Sequence, residues 1–273
     1  MDNFKSIIFK AKEDVFSHLQ GANFSKLLGQ GYDFSELRPY NSGDDIRNIS
    51  WINSAKLGEP YVKKMHEERE LLVHVAMLLD GRAVIGQKQK LMLEVLAILG
   101  YSTIFTNNLL SISFCLGKNF RSFEATKNVE AFDETLEVFS KIEPLGLEIE
   151  YEHLENKLFE VQEEKSLLFV VGDFLDEVDF SILAQKHQLC VIMVRDRWEE
   201  KPVVSANMEL VNPLSNKIMS QTTSKKAIAY YVQKLEEHDA KLYAHFHEHN
   251  IQYVKIYEPE RMVEKLEQLF YFD

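Results

Sequence analysis

The chain has 273 residues, 45% of them hydrophobic, which is enough for one large domain, or one domain with an extension, and for a core that needs no staples. Its 31 Lys and Arg against 43 Asp and Glu give a net charge of −12. That balance argues against a nucleic-acid backbone or an anionic membrane surface as partner, because both need a basic footprint. No apolar run approaches the ~20 residues of a membrane span, so no membrane insertion is expected. The first residues, MDNFKSIIFKAKEDVF, are too polar and periodic for a signal peptide. Cys115 and Cys190 sit in apolar stretches and read as buried, reduced thiols, which fits a cytoplasmic location.

Along the chain, Phe4, Ile7, Ile8, Ala11, Val15, Phe16 and Leu19 recur at helical spacing and predict an amphipathic helix over 4–20, stopped at Gly21. Residues 29–60 are turn-rich, with Gly29, Gly31, Gly43, Gly58, Pro39 and Pro60 among charges. Tyr61–Met65 is a candidate short strand. Leu71–Leu79 (LLVHVAMLL) is a nearly continuous apolar run, the pattern of a buried central strand. A helix is predicted over 87–105, then strands at Leu109–Leu116 and 119–124, and helices at 129–142 and 149–163. Leu167–Val171 is a further buried strand, followed by a short helix at 179–186 and the strand Leu189–Val194. After an irregular stretch come a long helix over 224–249, a strand at Ile251–Ile256 and a closing helix over 260–271. Strands alternating with helices imply βαβ units and an α/β fold, with a mostly parallel sheet covered on both faces.

Several residues invite a chemical reading. Asp44, Asp45 and Arg47 resemble paired carboxylates with a positive clamp. The plainer reading is a turn whose Asp side chains cap backbone N–H groups and pair with Arg38 or Arg47. Trp51 reads as an apolar anchor packing this segment onto the domain. His238, His245 and His249 fall at helical spacing, with His247 close by. No Cys or Asp cluster matches them, so they read as a solvated helix edge rather than a zinc site. Walker A, Gly-x-Ser-x-Gly and His-Glu-x-x-His motifs are absent from the sequence, which removes the common routes to nucleotide hydrolysis and to serine or zinc hydrolysis.

The stretch from Leu28 to Glu70 reads LGQGYDFSELRPYNSGDDIRNISWINSAKLGEPYVKKMHEERE. It closely resembles the signature of the bacterial family called domain of unknown function 58. The matching positions are Gly29 and Gly31, Phe34, Leu37–Arg38 with Tyr40, and Gly43–Asp44–Asp45 with Arg47, Ile49 and Trp51. Ser54–Ala55–Lys56 and Glu68–Arg69–Glu70 continue the order. Farther on, Asp80 follows the first buried strand, Gly172–Asp173–Phe174 follows the LLFVV strand, Lys186–His187 ends a helix, and Arg195–Glu200 forms an acidic turn. The resemblance covers about residues 28–270. It implies a Rossmann-like, von Willebrand A-like domain over 71–273, preceded by an N-terminal helix and signature extension over 1–70. It also implies association with MoxR-type AAA+ ATPases.

Von Willebrand A-like domains often hold Mg²⁺ through Asp-x-Ser-x-Ser after the first core strand, with a later Thr and Asp. A hard octahedral cation needs such carboxylate and hydroxyl oxygens. Here the run is Asp80–Gly81–Arg82–Ala83–Val84, so Arg82 and Val84 stand at the hydroxyl positions. Asp80 and Asp173 survive as ligand candidates, with Thr126 a conceivable third oxygen. The site therefore reads as degenerate, with no bound metal or other cofactor and with Arg82 substituting for the cation by pairing with Asp80 or Asp173. The leading expectation is a non-enzymatic protein-interaction module, an adaptor for a MoxR-type ATPase. The alternative is a metal-dependent ligand-binding domain using Asp80 and Asp173. A hydrolase built on Asp44 and Asp45 comes third.

Overall fold

The apolar runs singled out above lie side by side in one sheet. The structure, a computed structural model, describes residues 2–19, 34–41, 44–46, 49–65, 70–161, 164–203, 209–220 and 224–270. In chain order the elements are α1 (Asp2–Leu19), β1 (Phe34–Pro39), α2 (Trp51–Leu57), β2 (Tyr61–Met65), β3 (Leu72–Leu79), α3 (Lys88–Phe105), β4 (Leu109–Leu116) and β5 (Asn119–Thr126). Next are α4 (Val129–Ser140), α5 (Leu154–Val161), β6 (Leu167–Gly172), α6 (Ser181–Lys186), β7 (Gln188–Val194) and α7 (Arg197–Glu200). The hairpin β8 (Glu209–Asn212) and β9 (Lys217–Ser220), α8 (Lys225–Glu248), β10 (Gln252–Ile256) and α9 (Met262–Glu267) complete the order.

The six-stranded sheet has the order β10-β7-β6-β3-β4-β5. All neighbours are parallel except β5, which returns antiparallel beside β4. Beginning at β3, the chain builds outward through β4 and β5. It then crosses to the other side of β3 and builds outward again through β6, β7 and β10. The order reverses between β3 and β6, and such a switch point opens a crevice at the carboxyl ends of the strands.

Alternation along β3 feeds two cores. Val73, Val75, Met77 and Leu79 face a cluster that includes most of α3, while Ala76 and Leu78 face a second cluster with Leu154, Leu158, Leu183, Leu242 and Phe246. Helix α3 is buried almost all round. Its outer side is covered by α1, through Ile7, Ala11 and Val15, and by α4 and α9. The N-terminal helix therefore packs on the α/β body. His74, the one polar residue inside the central apolar run, is fully buried. Its Nδ1 lies 3.0 Å from the Ser111 hydroxyl and its Nε2 2.8 Å from that of Ser113, both on β4.

The turn-rich stretch holds more regular structure than its composition predicts. β1 and β2 pair antiparallel, and Ile49 bridges to Val62. Helix α2 ends at Gly58, whose φ of 79° is the left-handed conformation a glycine cap adopts without strain. Ser54 ties the unit together: its hydroxyl donates to the Ser50 carbonyl (2.9 Å) and accepts from the Tyr61 N–H (2.8 Å). The β8–β9 hairpin likewise occupies a stretch read as irregular. The region expected to be helical over 149–163 begins with a 3-10 turn at Tyr151–His153 before α5.

His187 gives the fold a pH dependence. The backbone N–H of Ser166 donates to its Nδ1 at 3.3 Å, and the Ser166 hydroxyl lies 3.0 Å from the same atom, so the ring proton belongs on Nε2. Burial, with the nearby Lys186 charge, pushes the imidazole below its ordinary value of 6.5. The fold prefers the neutral ring, so this stabilising contribution is complete above pH 6.5 and is lost as pH falls through the lowered value. Urea unfolding at pH 7, 6 and 5 should show stability falling with acidity, and His187→Gln should make that fall shallower. An identical pH profile for the variant contradicts the assignment.

Candidate functional site

At the switch point between β3 and β6, charged side chains leave the strands at their carboxyl ends and are largely buried. Asp80 follows β3 directly, and its Oδ1 accepts from the Arg82 backbone N–H at 2.8 Å, capping a 3-10 turn at Gly81–Val84. That turn folds the Arg82 side chain back over the aspartate. Arg82 Nε lies 3.0 Å from Asp80 Oδ2, and Nη2 also bonds that oxygen. Asp173 follows β6, and its Oδ2 lies 3.2 Å from Arg82 Nε. A single guanidinium thus spans the two carboxylates that flank the switch point. Asp176, from the loop after Asp173, accepts from Arg82 Nη2 at the outer edge.

Lys88, in the first turn of α3, extends the network inward. Its fully buried ammonium reaches Asp173 Oδ2 at 3.3 Å and Glu199 Oε1 at 2.8 Å. Glu199 is fixed by the capping box of α7, where its Oε2 accepts from the Asp196 N–H (3.3 Å) while Asp196 Oδ1 accepts from the Trp198 N–H (2.8 Å). A second network begins at Arg195, which ends β7. Arg195 Nη2 donates to the Phe174 carbonyl (2.8 Å) and to Asp239 Oδ1 (3.1 Å). Asp239 Oδ2 accepts from Lys255 (2.7 Å), and Lys255 also donates to Glu200, which the Tyr257 hydroxyl meets at 2.8 Å. Phe174 adopts φ 51°, a left-handed conformation unusual for a bulky residue. Its carbonyl accepts from both Arg195 and His238 Nε2 (3.0 Å).

The electrostatics follow from burial. Desolvation pushes the Asp80 carboxyl up, hydrogen bonding to Arg82 opposes the rise, and the Asp173 charge adds to it. Desolvation works against the Arg82 cation, but Asp173 and Asp80 outweigh it and raise its pKa. Burial likewise raises Glu199 against the pull of Lys88. These side chains do not fit a divalent cation. Asp80 Oδ2 and Asp173 Oδ2 already accept from Arg82 and Lys88, and no hydroxyl stands at 82 or 84 to complete an octahedral set. Thr126 cannot help: it pairs with Leu110 at the opposite end of the sheet, because β5 runs antiparallel. Among the described residues, no group of three or more His, Cys, Asp or Glu side chains is arranged to hold a metal.

The other sequence candidates fall elsewhere. Arg38 and Asp44 form a bidentate pair, Nη1–Oδ2 2.8 Å and Nη2–Oδ1 2.6 Å, and Asp44 also accepts from the Asn41 N–H at 2.8 Å. The Arg38 and Asn41 bonds hold the Asp44 carboxyl below its ordinary range. Asp45 is exposed, and Arg47 lies outside the described residues. Trp51 is not an anchor. It is 67% exposed, because α2 is seven residues long and buries none of them, and the hairpin's buried apolar contact is Val62 instead. Ile46, Ile52 and Leu57 are exposed with it. The histidines of α8 are not a purely solvated edge either. His245 Nε2 accepts from the Phe180 N–H at 3.1 Å and His238 meets the Phe174 carbonyl, so together they fasten the 173–180 loop to the helix. Lys88, Asp176 and Asp239 carried no sequence signal that pointed to this end of the sheet.

A family model described as protein of unknown function DUF58 matches residues 36–241. The chain belongs to this family. Helix α1 lies before the matched region, which contains the Arg82 and Lys88 network and most of the signature unit, while Lys255 and Tyr257 of the second network lie beyond it. Among curated proteins the chain is similar to an uncharacterized protein of Mycobacterium bovis (Mb1516) and to one of Mycobacterium tuberculosis (Rv1480). Each is 21% identical over 202 residues, covering 70% of this chain and 64% of the relative, so the chain spans less than two thirds of their length. Among solved structures it is similar to the conserved hypothetical protein BatB from Bacteroides thetaiotaomicron, with TM-score 0.41 and 12% identity over 73% of this chain and 96% of that one. An aerotolerance-related membrane protein from Bacteroides fragilis is similar at TM-score 0.34 and 9% identity, covering 66% of this chain and 98% of that one. Among the described residues, no helix of this chain is long and apolar enough to cross a membrane.

Two outcomes follow from the ion network. Arg82→Ala leaves Asp80 and Asp173 buried with one cation fewer, and breaking such a pair typically costs about 3–5 kcal/mol. Urea melts should show a loss of that order, partly restored in the Arg82→Ala/Asp80→Asn double variant. A loss under about 1 kcal/mol, the worth of a surface pair, contradicts the network's role. Calorimetric titration of the wild-type protein with Mg²⁺ or Mn²⁺ should give no tight isotherm. A stoichiometric micromolar site abolished by Asp80→Ala overturns the misfit argued above.

Proposed function

We propose that this chain is a non-enzymatic protein-interaction module of von Willebrand A type that works in the cytoplasm as an adaptor for a MoxR-type AAA+ ATPase. The observation that carries the reading is the exposure of apolar side chains on the family-signature unit. Trp51, Ile46, Ile52 and Leu57 all face solvent there, whereas the neighbouring charges Arg38 and Asp44 are committed to each other. Single exposed apolar residues are ordinary, but several gathered in one small unit are what an interaction surface presents. Tryptophan in particular is enriched among residues that dominate binding energy. The ATPase as partner comes from the family resemblance of this same segment.

The carboxylates of the chain support the non-enzymatic reading. Asp80, Asp173 and Glu199 are paired with Arg82 and Lys88, and Asp44 with Arg38, so each is held as a structural anion by a fixed cation. Cys115 and Cys190 are buried, and burial pushes both thiols up to about 12, which leaves them protonated and poor nucleophiles at neutral pH. A metal-dependent ligand-binding domain, the second reading, requires the Asp80–Asp173 pair to exchange its cations for Mg²⁺.

The test uses the purified protein and the MoxR-type ATPase encoded in the same genome. Wild type should bind in an analytical ultracentrifugation or interferometry assay. Trp51→Ala should weaken binding by about ten-fold or more, the effect of a hot-spot residue. Its thermal midpoint should stay close to wild type, because an exposed substitution changes stability by only about 0.5 kcal/mol. No association of the wild-type pair, or full association of the variant, overturns the proposal.

A further inference from the structure

We infer that the face made by α1 and α4 is a contact between two copies of this chain, with α1 of each copy lying on α4 of the other. Helix α1 carries two apolar stripes. Ile7, Ala11 and Val15, at spacings of four, are buried against α3. Phe9 and Phe16, seven apart and so on one side of the helix, point away from that face and are 70% and 62% exposed. They are the most exposed phenylalanines among the described residues. Docking on α3 uses only the first stripe. The second is left in water, where it forfeits the free energy that covering it would release.

Beside Phe9 the surface sinks into a groove of about 320 Å³ between α1 and α4, lined with apolar groups by Phe4, Ile8 and Phe9. Its two sides carry opposite charge. Lys5 and Lys12 stand on the α1 side, and Asp133, Glu134 and Glu137 on the α4 side. Lys12 and Asp133 meet across the groove at 2.9 Å, and Glu137 pairs with Lys141. Among the described residues, Lys5 and Glu134 have no ion-pair partner. A two-fold axis running along the groove keeps each residue at its height and exchanges the sides. It therefore sets the basic side of one copy on the acidic side of the other, with Phe9 of both near the axis. An axis across the groove would oppose like charges instead. Each copy has a net charge of −12, so only a contact with such local complementarity offsets the general repulsion. An anionic membrane, another possible cover for an aromatic stripe, would meet the carboxylates of α4. Helix α1 has 18 residues and is about 27 Å long, and with α4 beside it the face is about 20 Å wide. That gives about 500 Å² per copy and about 1,000 Å² in all, the lower limit for a specific interface. Helix α1 precedes the residues matched by the family model, so half of this contact lies outside what that model describes.

The test is sedimentation equilibrium of the full chain across the micromolar range. Wild type should show a reversible monomer–dimer equilibrium there, as a small interface gives. Phe9→Glu should raise the dimer dissociation constant about ten-fold or more, because it puts a charge at the centre of the apolar contact. Lys5→Glu and Glu134→Lys should each weaken the dimer, since each sets like charges against one another across the contact. An equimolar mixture of these two variants should dimerise as wild type does, because the reversed charges then face each other in one half of the pair and the native charges in the other half. All three positions are exposed, so the variants should fold, and unchanged circular-dichroism melts of dilute protein will verify that. A wild-type chain that stays monomeric throughout the range overturns the proposal, as does a dimer that Phe9→Glu leaves intact. Weakening by both charge variants without recovery on mixing overturns the crossed placement of α1 on α4. Trp51 lies in a different unit, so the ATPase assay of the proposed function gives its own answer whichever result is found.

Discussion

The carboxyl end of the sheet is organised by one cation between two anions. Arg82 leaves a turn capped by Asp80, folds back on that same aspartate, and reaches Asp173 across the gap between β3 and β6. The gap exists because the strand order reverses there. Without a cation, two carboxylates at adjacent strand ends would repel in a poorly solvated place. With a guanidinium between them, the switch point becomes a joint. Lys88 and Glu199 extend the joint to α3 and α7, so it touches most of the elements that meet at this end. A buried ionic network of this kind is costly to break at any single member, although a well-packed apolar replacement of the whole can be equally stable. Its contribution is to position groups rather than to add stability.

The beginning of the chain divides its labour differently. Among the described residues of the signature unit, Arg38 and Asp44 pair with each other and Ser54 bonds locally between α2 and β2, while Ile46, Trp51, Ile52 and Leu57 face outward. This reverses the usual arrangement of a small structural appendage, in which the tryptophan would be inside. The rest of the chain has no shortage of core: α3 alone is enclosed by the sheet, α1, α4 and α9. An exposed Trp51 is therefore not a consequence of too little interior. It is exposed together with Ile46, Ile52 and Leu57 of the same unit.

The sheet was legible in the sequence because its signal is local. Buried parallel strands must be apolar on both faces, and runs such as LLFVV and LCVIMV announce that without reference to partners. The short elements were not legible. Phe34–Pro39 becomes a strand only because Tyr61–Met65 lies beside it, and the β8–β9 hairpin closes over a turn with no strong apolar alternation. Trp51 failed for a related reason. Hydrophobicity gives the tendency of a side chain to be covered, but whether a cover exists depends on what packs there, and α2 has too few residues to bring one.

The sequence by itself determined the family, the α/β class and the absence of hydroxyls at 82 and 84, because each is written in residue identity or in local periodicity. It also raised the pairing of Arg82 with an aspartate, since opposite charges at spacing 80–82 can meet within one turn. Tertiary structure alone decided that Arg82 joins Asp80 to Asp173 rather than to one of them. It alone brought Lys88 and Glu199, 111 residues apart, within 2.8 Å. It also placed Thr126 at the far end of the sheet and left Asp176 half-exposed beside the guanidinium. The physical reason is that strand order and direction set which chain ends are neighbours, and these depend on crossover connections between segments far apart in the chain.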